Sequence, residues 1–134
     1  MALSKNIKGI TIEFNGDTTK LGKALERVRK DARGVDAQLK QVNNALKFNP
    51  KNTELLAQKQ QLLGQKVDLT KKRLDALREA QAKMDASGVD KNSQEYRELQ
   101  REIIETTSKC KAFEQQLKEV GNVNLKAAQQ QLKQ

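Results

Sequence analysis

From Leu21 onward, apolar side chains recur at Leu21, Leu25, Val28, Ala32, Val35, Leu39, Val42 and Leu46, in alternating steps of four and three residues. A repeat of 3.5 residues keeps one narrow stripe turned toward a partner helix and leaves the other faces to water. The same spacing returns at Tyr96, Leu99, Ile103, Thr106, Cys110, Phe113, Leu117 and Val120, and a looser version runs through Leu56, Leu63, Val67, Leu74, Leu77 and Met84. Most of the chain is patterned to pair helices, so its function is to be sought in packing, length and partners.

Composition narrows the reading further. Only 3% of the 134 residues are aromatic, against 36% hydrophobic and 32% charged. An aromatic side chain removes roughly 150–250 Å² from water, so a chain this poor in them builds its core from a thin stripe of Leu, Val, Ile and Ala. His, the commonest general base near neutral pH and a leading zinc ligand, is absent. Cys110, the single cysteine, falls on the third seam, where it reads as a small apolar core residue. The glycines are dispersed and form no phosphate-cradling loop. The carboxylate pairs Glu102 with Glu105 and Asp75 with Glu79 alternate with Lys and Arg, as solvated helix faces do. No catalytic residue, cofactor-binding residue or metal ligand is assigned, and the chain is not read as an enzyme. No run approaches the ~18 apolar residues that span a bilayer, and no export signal is read at the N-terminus.

Residues 7–14 differ from everything that follows. Ile10, Ile12 and Phe14 alternate with Thr11 and Glu13, which predicts a short β-strand. The chain is expected to hold no second strand, so these three residues are read as pairing with a symmetry-related copy or another protein, as docking on the helices, or as a flexible arm. Asn15-Gly16 supplies a turn, and Asp17, Thr18 or Thr19 caps the first helix, over about 18–47. Pro50 prevents its continuation. The second helix starts either with Asn49 as cap and Pro50 in its first turn or at Asn52-Thr53, and reaches Ala86. Leu55, Leu62 and Leu69 widen its apolar face enough to contact two helices. Ser87-Gly88-Val89-Asp90 forms a loop with Gly88 as C-cap. Asn92 or Ser93 caps the third helix, Glu95 standing at capping-box distance from Asn92. That helix is expected over 93–120, ending at Gly121-Asn122. Residues 121–134 read as the start of a further helix that stops in mid-pattern. Gly34 and Gly64 fall inside helices, where local flexing or close helix approach would explain them. Asn49–Glu54 faintly resembles a tetratricopeptide boundary, but each helix is twice as long as that repeat allows.

The fold expected is all-α: three long antiparallel heptad-patterned helices, a helical bundle or coiled coil, preceded by one short β-strand. Residues 1–16 form the strand or arm, 17–120 the three-helix bundle (about 18–47, 52–86 and 93–120), and 121–134 the further helix. Whether the seams meet within one chain or between chains is open, since both bury the same stripe. Net charge is +9, and the excess lies toward the N-terminus, with 11 Lys or Arg against 5 Asp or Glu from Met1 to Lys51. Lys23, Arg27, Arg29, Lys30 and Arg33 make the densest cluster. They read as a solvated face or as a contact for an acidic partner or nucleic acid. No aromatic residue is interleaved among them to stack on bases.

Several blocks carry a family resemblance. Ile7-Lys8-Gly9-Ile10-Thr11-Ile12-Glu13-Phe14-Asn15-Gly16-Asp17-Thr18-Thr19-Lys20-Leu21 resembles the N-terminus of tail tape-measure proteins of long-tailed bacteriophages, especially those of Gram-positive hosts. Leu39-Lys40-Gln41-Val42-Asn43, Asn49-Pro50-Lys51-Asn52-Thr53-Glu54-Leu55-Leu56 with Gln58-Lys59, and Tyr96-Arg97-Glu98-Leu99-Gln100-Arg101-Glu102-Ile103 follow in the order and spacing of similar proteins. The resemblance implies a helix-rich, oligomeric virion structural protein of a phage or prophage. It would work with tail tube and tail assembly chaperone proteins, reside in the host cytoplasm during assembly and then in the tail lumen, and set tail length. One continuous helix of 134 residues would span only about 200 Å. The chain is therefore read as the N-terminal domain of a longer ruler, acting in oligomer nucleation or in engaging assembly partners. Two competing readings are a basic helical nucleic-acid-binding protein and a stand-alone coiled-coil adaptor.

Overall fold

Side-chain caps and one glycine mark the helix ends. The computed structural model describes the backbone of residues 3–7, 10–14 and 19–132, and the side chains of residues 22–130. Helix α1 spans Thr19–Phe48 and α2 spans Thr53–Ala86. Asn52 Oδ1 accepts a hydrogen bond from the Leu55 N–H at 3.0 Å, the N-cap geometry that satisfies an orphan donor of the first turn. Of the two starts open to the sequence, the chain takes the one at Asn52-Thr53, and Pro50 stays in the turn. Asp17 and Thr18, two of the candidate caps of α1, lie outside the described residues, as does Asn15-Gly16; Thr19 is already helical.

The C-terminus of α2 is a Schellman cap. Gly88 has φ 73°, its N–H donates to the Asp85 carbonyl at 3.2 Å, and the Val89 N–H donates to the Met84 carbonyl at 3.0 Å. That left-handed conformation is open to Gly and strained for any residue with a Cβ. Helix α3, Gln94–Leu132, begins with Ser93, whose Oγ accepts the Tyr96 N–H at 3.3 Å. Ser93 and not Asn92 is the cap, so no capping box forms between Asn92 and Glu95. The Asn92 Oδ1 is engaged by the Arg97 guanidinium at 3.1 Å instead.

Two sequence expectations are corrected here. First, α3 does not stop at Gly121-Asn122 but continues to Leu132, so residues 121–132 belong to it and start no separate helix. Glycine in a helix costs only about 1 kcal/mol relative to Ala. Tertiary contacts on both sides of Gly121 exceed that: Val120 and Ala127 are buried in one core cluster, and Asn124 Nδ2 donates to Gln60 Oε1 at 3.1 Å. A Cβ at Gly121 would meet the side-chain amide nitrogen of Gln60 at 3.2 Å, a tight contact with the end of a flexible side chain. Second, the strand at the N-terminus has a partner in its own chain. β1 (Leu3–Ile7) and β2 (Ile10–Phe14) pair antiparallel, from Leu3 opposite Phe14 to Ile7 opposite Ile10. β1 is hard to read because Lys and Asn, at its centre, are depleted in strands.

The chain forms two compact units, Met1–Lys30 with Thr70–Lys109 and Asp31–Leu69 with Cys110–Gln134. The first unit is cored by Leu25, Ala76, Leu77, Ala80, Met84, Tyr96 and Leu99, with Val89 and Ile103 packed against them. In the second unit Leu56, Leu63, Val120 and Ala127 form one cluster and Val35, Val42 and Leu62 another, both touched by Leu39 and Leu46. Each unit thus draws on all three helices and packs them as a helical bundle. Full burial of one such side chain stabilises by roughly 1.5–3 kcal/mol.

The explanation of Gly34 and Gly64 by close helix approach also fails, because a Cβ added at either meets nothing within 4 Å. Neither has a positive φ. Gly34→Ala and Gly64→Ala are each expected to stabilise the protein by about 0.5–1 kcal/mol, read as a higher midpoint in urea denaturation. A loss of stability in either variant would contradict the open surroundings of these residues.

Candidate functional site

No group of three or more His, Cys, Asp or Glu among the described residues could hold a metal ion, and no helix searched is long and apolar enough to cross a membrane. What the fold positions is a set of helix-packing seams, a buried carboxylate facing an arginine, a lysine bridging between helices, a glutamine-lined cleft and a basic helix face.

On α1, Leu25, Val28, Val35 and Val42 are buried and Leu39 and Leu46 half-buried; the side chain of Leu21 lies outside the described residues. On α2, Leu56, Leu63, Val67, Leu74, Leu77 and Met84 are all buried. On α3, Tyr96, Leu99 and Cys110 are buried and Ile103, Phe113 and Leu117 half-buried. The Cys110 Sγ donates to Glu114 Oε1 at 3.3 Å. The side chains of Ile10, Ile12 and Phe14 lie outside the described residues.

Glu102 departs from the sequence reading. It was expected on a solvated face with Glu105, yet its side chain is only 8% exposed and faces the Arg73 guanidinium at 3.7 Å. Thr70 and Thr106 are buried in the same unit. Glu102 is three residues beyond Leu99 and four before Thr106 on α3, so it shares their inner flank. That spacing was the available signal. Burying a carboxylate is costly unless it is paired and hydrogen-bonded, so this polar patch favours one alignment of α2 against α3. Glu105, by contrast, is exposed and pairs with Lys109, and Glu79 pairs with Lys83.

In the second unit Lys66 links all three helices. Its Nζ lies 2.8 Å from Asp36 Oδ1 on α1 and 5.0 Å from the centre of the Phe113 ring on α3, and its side chain is 12% exposed. An ammonium over an aromatic face is attracted by the ring quadrupole, more strongly when partly desolvated. Sequence periodicity missed this residue because its stem, and not its charged head, lies along the seam.

Between α1 and α2 of the second unit lies a half-open cleft of about 300 Å³ lined by Gln38, Gln41, Gln58, Gln61 and Gln65 over Val42 and Leu62. On α1 the five cations Lys23, Arg27, Arg29, Lys30 and Arg33 are all exposed. The helix carries eight Lys or Arg against three Asp or Glu, whereas α3 carries six of each.

Against known proteins, the chain is 28% identical over 113 residues to a protein described as a probable tape measure protein, from Lactococcus phage SK1. The match takes in 81% of this chain and 11% of that protein, so the chain spans about one tenth of its relative's length. No family profile matches the chain. No solved structure matches it significantly.

Proposed function

We propose that this chain is a tape-measure-like structural protein of a phage tail, corresponding to the N-terminal domain of a longer ruler encoded by a phage or prophage. The observation that carries this reading is the similarity to the probable tape measure protein of Lactococcus phage SK1 along 81% of the chain. The physical character of the chain agrees with it. Its helices of 30, 34 and 39 residues extend roughly 45, 51 and 58 Å at 1.5 Å per residue, and its buried groups serve packing.

In this reading the three helices pack antiparallel through their heptad seams. Leu25 near the start of α1 shares a core with Met84 near the end of α2 and Tyr96 at the start of α3, which supports that arrangement. The protein self-associates and engages tail tube and assembly chaperone proteins while in the host cytoplasm. It then resides in the tail lumen, where the longer polypeptide sets tail length. A folded bundle must open to travel along a narrow tube, so the bundle is the pre-assembly state.

The test is an immunoblot of purified tails from the source virion with an antibody raised against residues 1–134. The expected result is a band several times larger than 15.1 kDa that co-purifies with tails and not with heads. A free 15.1 kDa band absent from tails would overturn the reading and favour a coiled-coil adaptor.

A further inference from the structure

Each of the three helices carries a glycine in its interior, Gly34 on α1, Gly64 on α2 and Gly121 on α3, and all three fall in the second unit. A helical glycine gains more conformational freedom on unfolding than any other residue, so it weakens the helix around it. Gly22, the other helical glycine among the described residues, belongs to the first unit but lies in the first turn of α1. Packing differs in the same direction. Leu77, Ala80 and Leu99 of the first unit are fully buried, whereas Leu39, Leu46, Phe113 and Leu117 of the second are half-buried. The glutamine-lined cleft also brings solvent over Val42 and Leu62 of the second unit. Each core cluster is built from residues of one unit.

We propose that the second unit opens as one cooperative segment while the first stays folded, so that the protein has one labile half and one durable half. Proteins open locally in contiguous cooperative units, and the units with fewer buried apolar contacts open more easily. Here the helix stretches weakened by glycine and the thinner core coincide in one unit. Opening leaves residues 31–69 as a loop between the two segments of the first unit, and the entropic cost of closing such a loop grows only slowly with its length. Within the first unit, Tyr96 on α3 stays bonded to Asp85 and Gln81 on α2, which holds those helices together. The inference rests on packing and glycine placement and not on the tape-measure reading.

The experiment is native-state hydrogen exchange of the full chain, read by mass spectrometry of peptic peptides as protection factors. Helix α2 is decisive, because it runs through both units and neither of its ends is an end of the chain. Protection over residues 56–69 is expected to be on the order of 100-fold lower than over residues 72–84, the combined effect of three helical glycines. Equal protection along α2, or lower protection over 72–84, would overturn the proposal. Tyr96→Phe, which weakens the first unit alone, separates two openings from one. Protection over 72–84 is expected to fall about 5-fold while that over 56–69 stays unchanged. An equal fall in both stretches would mean a single cooperative unit and would overturn the proposal. The double variant Gly34→Ala, Gly64→Ala should raise protection over 56–69 by about 5- to 30-fold. No rise would show that the glycines do not set the opening, and would overturn it as well.

Discussion

Leu99→Ala and Leu77→Ala are each expected to destabilise the protein by about 3–5 kcal/mol. Both side chains are 0% exposed and share one cluster with Ala80, itself 0% exposed. Truncation removes the transfer energy of the lost carbons and leaves a cavity that neighbours on α1, α2 and α3 cannot all move to fill. A chain of this size has a total stability of roughly 7–20 kcal/mol, so either change removes a large fraction of it. The measurement is urea denaturation followed by circular dichroism at 222 nm. Leu125→Ala serves as reference, because Leu125 is 60% exposed and its truncation should cost under about 0.5 kcal/mol. Equal shifts at Leu99 and Leu125 would mean that the first unit is not packed as described.

The second large effect is expected at Tyr96, which joins the first turn of α3 to the last turns of α2. Its side chain is 3% exposed, its hydroxyl donates to Asp85 Oδ1 at 2.8 Å, and it accepts from Gln81 Nε2 at 3.1 Å. Tyr96→Ala should cost about 3–5 kcal/mol, mostly from lost packing. Tyr96→Phe keeps the ring and should cost about 1 kcal/mol, the net worth of a hydrogen bond whose exposed carboxylate partner regains water. A double-mutant cycle of Tyr96→Phe with Asp85→Ala isolates that bond and is expected to give a coupling of about 1 kcal/mol. Additive single effects would show that the bond contributes nothing to stability.

Both effects fall on residues already marked by the heptad pattern, which shows how far a periodic signal carries. The stripe positions Leu77, Leu99 and Tyr96 need only local geometry to be recognised. The glycine at the end of α2 and the caps near Asn52 and Ser93 are likewise local, because the groups they satisfy lie within four residues. What escaped the reading sits one step off the stripe or depends on distant chain. Glu102 looks solvated in sequence because its neighbours include Glu98, Arg101 and Glu105. It is buried because Arg73, on another helix, is there to face it. Gly121 reads as a stop because glycine weakens any isolated helix, and it is passed because Gln60 and the buried Val120 and Ala127 hold the turns around it.

By itself, then, the sequence determined that this protein is built from three long helices, which stripe of each is apolar, and where α2 ends. These follow from contacts three or four residues apart and from backbone groups that must be satisfied locally. Tertiary structure alone decided that α3 runs on to Leu132, that β2 finds β1 in its own chain, and that Glu102 and Lys66 turn inward. The course of α3 and the burial of Glu102 and Lys66 rest on groups far apart in sequence, whose combined interactions outweigh a local cost of about 1 kcal/mol for a helical glycine or several for a buried charge; the strand pairing is local, but Lys5 and Asn6 hide β1 from a reading by strand preference.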